Sequence, residues 1–495
     1  MLFLSVNMIR EAEKHALENV SSMHLIENVA KVCFEELKNF GSVRVYCGKG
    51  NNGSDGYATA IILKKHGKRV EIVPVAEPES PECQLLYQKA LDEEIPITHG
   101  VTFPTEEFEC SLDAIFGIGI KGEITDSNII RAIETINASD GYVVSCDVPS
   151  GMDSDTGKAC GISVKADKTV TFTAPKRGML SNESVDLCGE IVIAEVGIPV
   201  DYNTITESTC VPLTKKLLKT MIPARSRYSH KGTFGTAVIV AGSRSMSGAA
   251  AMAAMAAVRS GCGMVKIVAP SPICAVLNIL VKEAIVIPVP EQNGVMLPNL
   301  SPEAINAIKT ASSVLVGCGI GKGDHDLLIS NILNAASCPV IVDADGINAL
   351  SGKMKIVQNK NVLLTPHPKE FSRISGYDIS LIESRRIQSA DKFARENGIH
   401  LLLKGARTVI TYGGSNKYVC PLATSALAKA GSGDILAGII ASFAAQGLSL
   451  TDAAATGCFI HAYAGMLGEK RIGAYSVTAD DIINLIAPAI VEILK

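Results

Sequence analysis

The sequence has no tryptophan, and only 19% of its residues are charged against 47% apolar. So little charge beside so much apolar surface argues against disorder and for buried parallel sheets. The 43 glycines, spread throughout, suit the tight connections of such sheets. A formal net charge of −4 gives no electrostatic case for nucleic acid or an anionic membrane as partner. None of the fourteen cysteines forms a CxxC pair or joins a Cys/His cluster. A zinc site and a disulfide framework are therefore not expected, and a reducing cytoplasm fits better. No apolar run is long enough to span a bilayer. The smoothest, Gly248 to Val258, is built from Ala and Met, ends at Arg259 and reads as a buried helix. MLFLSVNMIR is too short in its apolar part for a signal peptide, and charged residues follow at once. Short-period repeats and low-complexity segments are also missing. A soluble cytoplasmic protein is expected.

At 495 residues the chain needs two or three domains. The opening NMIREAEKHALENV and MHLIENVAKVCFEEL space apolar side chains as amphipathic helices do, and packing is the reading preferred for them. VRVYC then reads as a buried strand, GKGNNGSDG as a loop, the residues from about Tyr57 to His66 as a helix, and RVEIVPV as the next strand. Gly48, Gly50 and Gly53 make a formal G-x-G-x-x-G with Glu71 on the second strand, which is the dinucleotide fingerprint of a Rossmann-like sheet. The loop is more polar and acidic than a pyrophosphate turn requires. A second formal match, Gly117 to Gly122, follows the strand LDAIFG, which shows how weak the pattern is. The next strand ends at YVVSCDVPSG. Asn52, Asp55, Asp113, Asp147, Ser150 and Gly151 then fall at the carboxyl ends of three successive strands, where doubly wound sheets bind ligands. Oxygens of Asn52, Asp113 and Ser150 form a hard set suited to an alkali or alkaline-earth cation. Turn or capping roles are the alternative for each.

The pattern fades between Thr204 and Lys231 into a polar, basic stretch, which places a first domain over 1–212 and a second over 223–495. In the second, GTAVIVAGS, MVKIVAP, SVLVGCGIG, PVIVDADGIN, NVLLTPHPKE, IHLLLKGART and VITYG read as strands with helices between. Each half is thus a mainly parallel sheet sandwiched between helices, a three-layer αβα architecture. Near the end stands KAGSGDILAG, Lys429 to Gly438. A glycine-rich turn entering a helix presents unpaired N–H groups and the positive end of the helix dipole, a hole suited to phosphate. Asp434 would repel bound phosphate but makes sense as the base that deprotonates a hydroxyl attacking a phosphoryl group. A helix start with an acidic first turn is the plainer reading.

NNGSDG, DAIFGIGIKGE and CDVPSGMD resemble the epimerase half of the bifunctional NAD(P)H-hydrate repair enzymes. AGSRSMSGA, GCGIG, VDADGIN, TPHPKE, KGART and AGSGD, in that order, resemble their dehydratase half, which has a ribokinase-like fold. The resemblance implies an isomerase and lyase that repairs NADH and NADPH carrying water across a ring double bond. The first half would interconvert the R and S hydrates. The second would dehydrate the S form at the expense of ADP, with Mg2+, giving AMP and phosphate. It also implies roles. Asn51, Asn52, Gly53, Ser54 and Asp55, with Gly117, Ile118, Gly119, Ile120, Lys121, Gly122 and Glu123, would line the first site. Asp147 would be its acid/base, and Asn52, Asp113 and Ser150 would hold K+. In the second site Ala249, Gly319, His367 and Asp434 would contact the hydrate. Lys404, Gly405, Ala406, Arg407, Thr408 and Gly433 would contact the nucleotide. A homo-oligomer is expected.

The chain departs from the family pattern at five places. Ser54, Lys369 and Arg407 stand where glycine is usual, Cys318 where proline is, and Gly346-Ile347 where Ala-Leu is. The two added cations either strengthen phosphate binding or sit in solvent, the preferred place for Lys369. His367, between two prolines, also reads as a turn-stabilising imidazole, and Lys404 as a strand-end residue reaching into solvent. Rival functions stay open at this point: an ATP-dependent dehydratase, a small-alcohol kinase using the same AGSGD turn, a nicotinamide dehydrogenase, or a non-catalytic first half.

Overall fold

The computed structural model describes residues 2–100, 107–200, 210–323, 325–414 and 417–495. The chain divides into two compact units, Met1–Thr209 and Cys210–Lys495. Residues 201–209, which hold the start of the expected linker, lie outside the described residues.

In the first unit β1 (Ser42–Cys47), β2 (Arg69–Pro74), β3 (Cys110–Ala114), β4 (Tyr142–Cys146), β5 (Lys168–Phe172) and β6 (Glu190–Ala194) form one sheet. Its order is β2-β1-β3-β4-β5-β6, and every pairing is parallel. Val43, Val45 and Cys47 face one core with the helices Ser22–Leu37 and Asn51–Lys65. Tyr46 faces the other with helix Ser127–Asn137. Burial on both faces is why these strands read as unbroken apolar runs. The chain leaves β1 and β3 in opposite directions, so their carboxyl ends part and leave a crevice.

Helix Asn51–Lys65 starts six residues before the expected Tyr57. NNGSDG is therefore its first turn and a half, not a loop. Periodicity missed it because glycines, not apolar side chains, make the contact. A Cβ on Gly53 would lie 1.9 Å from the Gly48 carbonyl oxygen, and one on Gly56 2.8 Å from both Ala114 Cβ and Cys47 Sγ. Close packing against β1 and β3 brings the helix N-terminus into the crevice.

The second unit contains β7 (Val211–Pro212), β8 (Thr236–Val240), β9 (Met264–Pro270), β10 (Ile285–Val289), β11 (Glu291–Gln292), β12 (Val295–Met296), β13 (Ser313–Val316), β14 (Val340–Val342), β15 (Val362–Leu364), β16 (His400–Leu403), β17 (Val409–Thr411) and β18 (Tyr418–Val419). Apart from the β11-β12 hairpin they form a ten-stranded sheet, β10-β9-β8-β13-β14-β15-β16-β17-β18-β7. It is parallel from β10 to β16 and antiparallel across β17. β7 pairs with β18, so residues 210–212, expected in the first domain, belong to the second. Helices Ser247–Arg259, Ser432–Ala445, Leu450–Ile472 and Ala479–Leu494 cover one face. Helix Ser432–Ala445 lies among its neighbours and is buried nearly all round, which explains an apolar sequence with no polar stripe. Each fully buried Ile or Leu there contributes about 1.5–3 kcal/mol. Among the described residues no helix is long and apolar enough to cross a membrane.

Candidate active sites

The crevice of the first unit opens into a cavity of about 510 Å³, whose walls include Asn51, Asn52, Asp55, Gly117, Ile118, Gly119 and Asp147. Asp147 follows β4 with φ of 72°, a left-handed backbone that a non-glycine residue adopts under strain. Lys176, 1% exposed, donates to its Oδ1. The same ammonium donates to Thr171 Oγ1 at 2.8 Å and to the Phe172 carbonyl at 3.2 Å, so all three protons are used. Asp147 is thereby an anchored carboxylate. Burial pushes the Asp55 carboxyl well above the usual range, and the charges of Asp147 and Glu13 push it further. Gly117 completes this corner: a Cβ there would sit 3.4 Å from Asp147 Oδ2 and 3.8 Å from Asn52 Cβ.

Asp113 lies behind that corner, fully buried at the end of β3. Ser145 Oγ and the Ser150 amide donate to its Oδ2 at 2.8 Å, and Ser150 Oγ donates to Oδ1 at 2.5 Å. Burial still outweighs these bonds and raises its pKa. Asn52 Nδ2 is buried with no hydrogen-bond partner. A hard cation beside the buried Asp113 carboxylate would offset the burial of its charge, and the Asn52 and Ser150 side-chain oxygens are hard donors of the kind such a cation takes, so the donor set fits one.

Not every expected residue reaches the cavity. Gly53 and Ser54 are buried in the helix packing, and the Ser54 hydroxyl donates to the Gly50 carbonyl at 3.3 Å. Ile120 to Glu123 lie beyond the described lining.

In the second unit the chain leaves β8 and β13 in opposite directions, again opening a crevice. Gly431 starts helix Ser432–Ala445 with φ of 90°, and a Cβ there would meet Met252 Sδ at 2.5 Å. Only glycine makes this turn. Asp434 stands in the first turn, and burial, then the charge of Asp343, pushes its carboxyl up to about 6. Asp343, in the VDADGIN segment, follows β14 and is 1% exposed. Its Oδ1 accepts from Thr365 Oγ1 and from Lys404 Nζ, both at 2.7 Å. Burial alone would lower the Lys404 pKa, but Asp343 and Glu370 outweigh it and raise it. Lys404 is thus a fixed cation within the site, not a strand-end residue reaching solvent. A Cβ on Gly433 would lie 3.5 Å from its Nζ. Ligand atoms of Cys318, Asp343 and Asp434 lie within 4.8 Å of one another, two hard donors and one soft. His461, buried beside Ser432, is pushed down to about 4 by burial and by Lys404.

Gly319 and Ala249 meet across the crevice, a Cβ on the former lying 2.7 Å from Ala249 Cβ. His367 caps a helix. Its Nδ1 accepts from the Lys369 and Glu370 amides at 3.1 and 3.3 Å, capping helix Pro368–Ser375, with the Glu370 side chain returning to the His367 amide. Nε2 lies 3.4 Å from Glu370 Oε1, and the side chain is 45% exposed. The turn after β16 is closed by Thr408 Oγ1 donating to the Gly405 carbonyl at 2.8 Å, with Gly405 and Ala406 exposed. Arg407 is not solvated. It is 1% exposed and donates to the Pro421 carbonyl, because the turn aims its side chain into the core. Lys369 is exposed.

Sequence reasoning missed Lys176 and Asp343. Both stand just after a strand's carboxyl end, and that position was the available signal.

Residues 237–488 match the sequence model of the family described as NAD(P)H-hydrate dehydratase. Residues 22–178 match the YjeF-related protein N-terminus. A bifunctional NAD(P)H-hydrate repair enzyme of Dictyoglomus turgidum is 33% identical over 97% of this chain and 94% of its own. One from Methanothermobacter thermautotrophicus is 33% identical over 96% and 92%. The fold of a ribokinase-like superfamily protein from Enterococcus faecalis matches 57% of this chain and 95% of its own, at 24% identity and a TM-score of 0.51. Both halves, in one order and over nearly the whole length, agree with the motifs read from the sequence, and the chain belongs to the bifunctional NAD(P)H-hydrate repair enzymes.

Proposed function

We propose that Met1–Thr209 interconverts the R and S hydrates of NADH and NADPH, and that Cys210–Lys495 dehydrates the S form with ADP. The observation that carries the reading is Asp434, a carboxyl raised to about 6 at a glycine-started helix N-terminus, facing the Asp343–Lys404 pair. Hydroxide is a poor leaving group and phosphate a good one. Asp434 takes the proton of the substrate hydroxyl as its oxygen attacks the terminal phosphorus of ADP. AMP leaves with the bridging oxygen. The new phosphate ester then expels phosphate as the neighbouring carbon loses a proton, and the ring double bond returns. Gly433 and the helix amides steady the phosphoryl oxygens, and Lys404 adds a fixed positive charge. Gly405, Ala406 and the Thr408-closed turn meet the nucleotide, while Arg407 supports that turn from beneath. Ala249, Gly319 and the half-exposed imidazole of His367 meet the hydrate. The hard oxygens of Asp343 and Asp434 would hold Mg2+ brought by the nucleotide, where it would supply positive charge against the phosphates.

In the first site Asp147, held by Lys176, works as acid/base, and Asn52, Asp113 and Ser150 would hold K+. The fourteen free cysteines suit the reducing cytoplasm. A homo-oligomer is the expected assembly. The test mixes R and S hydrates with the protein and ADP, ATP or neither. It follows the return of reduced-nicotinamide absorbance, the fate of each epimer and the phosphate released. Free phosphate and AMP from ADP support the reading. A stable phosphorylated alcohol means a kinase, and equal rates with ATP refute the ADP preference.

A further inference from the structure

The helices Val6–Leu17 and Ser22–Leu37 both reach the first cavity, though their sequences suggest packing alone, and only the first brings it a carboxyl group. Val6, Ile9, Ala12 and Ala16 do pack inward. Arg10, Glu13 and Leu17, at spacings of three and four, form a second stripe that lines the cavity. The helix is tied at its start beside Lys176. The Leu4 amide donates to the Pro175 carbonyl at 2.9 Å, and the Arg177 amide to the Leu4 carbonyl at 2.8 Å. The Val6 amide donates to Asp155 Oδ1 at 3.0 Å. Further along, the Arg10 guanidinium lies 3.9 Å from where a Gly119 Cβ would be. The helix thus runs from the Lys176 segment to the loop after β3 and presents one carboxyl to the cavity that Asp147 enters from the strand ends.

Hydration of an enamine double bond places the hydroxyl on the carbon bonded to the ring nitrogen. That carbon can invert by breaking its C–O bond. The nitrogen lone pair forms C=N+ as the oxygen leaves, and the oxygen needs a proton to leave as water. A second water then adds to the other face, the electron pair returns to nitrogen, and the added water gives up a proton. One acid and one base, used once each, balance the step.

We propose that Glu13 is the acid of this step and therefore a catalytic residue of the epimerase site, protonating the departing hydroxyl while Asp147 accepts the proton of the incoming water. The proposal rests on the epimerase reading above. The groups facing Glu13 are Arg10 on its own helix, Asp147 and Lys176 from the strand ends, and Asp55 and Lys49 from the β1 side. Burial raises the Glu13 pKa first and Asp147 raises it further, against the opposing charges of Lys176 and Arg10. The proton is therefore retained to higher pH than on an ordinary glutamate.

The test follows R-to-S conversion by the full chain in H2(18)O, for wild type and the variants Glu13→Gln, Glu13→Asp, Asp55→Asn and Glu11→Gln. Glu11 lies on the exposed side of the same helix. Wild type should gain one 18O per inversion, and its kcat should fall as pH rises past the Glu13 pKa. Glu13→Gln should lower kcat by about a hundredfold or more with KM little changed and flatten that limb. Glu13→Asp should recover part of the rate, and Glu11→Gln should behave as wild type. A Glu13→Gln rate within about threefold of wild type, inversion without 18O uptake, an equal loss in Glu11→Gln, or transfer of the limb to Asp55→Asn overturns the proposal. A wild-type protein that inverts neither hydrate refutes the epimerase reading instead.

Discussion

Asp434 is the residue whose chemistry was most legible, because its neighbours in sequence are also its neighbours in space. A glycine turn, a helix start and a carboxylate within five residues suffice to suggest a base over a phosphate. Its partner was not legible in the same way. Lys404 meets Asp343 across 61 residues, and no local pattern links two strand ends that only the sheet brings together. The base must be ionised to act. Dehydratase kcat/KM should therefore climb as pH rises through about 6 and level off above it. Asp434→Asn should lower kcat by about a hundred- to ten-thousandfold and leave R-to-S conversion intact, read from the two assays on one preparation. Lys176 makes a different prediction, since its charge is buried against Asp147. Lys176→Met should destabilise the first unit by about 3–5 kcal/mol, towards the lower end because the Asp147 side chain keeps 15% exposure. The loss is read from the urea midpoint, and epimerisation should fall with it.

Two helices carry the sites, and each depends on glycine for its position. Helix Ser432–Ala445 was visible as an apolar stretch, and its start coincides with the turn the sequence suggests. Helix Asn51–Lys65 was visible only from Tyr57 on, because its first turns pack through glycines that leave no periodic signal. Gly56→Ala should push the helix off β3 at a cost of about 1–3 kcal/mol, displace Asn52 and Asp55, and slow epimerisation while dehydration is unchanged. Gly431→Ala forces a left-handed residue against Met252. It should cost about 1–2 kcal/mol in the second unit, seen as a lower Tm, and reduce dehydration more than epimerisation. Arg407 gives the converse lesson. An arginine in a glycine's place near a nucleotide turn suggests a phosphate contact, but the turn directs the side chain to the Pro421 carbonyl.

Each unit has its own sheet and core, and the boundary between Thr209 and Cys210 follows from the pairing of β7 with β18. Residues 1–209 and 210–495 expressed separately should each fold and keep one activity. A second unit beginning at residue 213 loses its edge strand and should melt below one beginning at 210, as compared by calorimetry. Composition and the alternation of apolar runs were enough to specify two mainly parallel α/β sheets, because strands buried on both faces must be apolar along their whole length. The glycine turns were likewise readable, since a backbone that no other residue can adopt leaves its mark at one position. Which carboxylate meets which lysine, which side chains of the first helix turn towards the cavity, and where the linker yields to the second sheet depend on contacts between distant segments. Those contacts come into being only when the strands line up side by side.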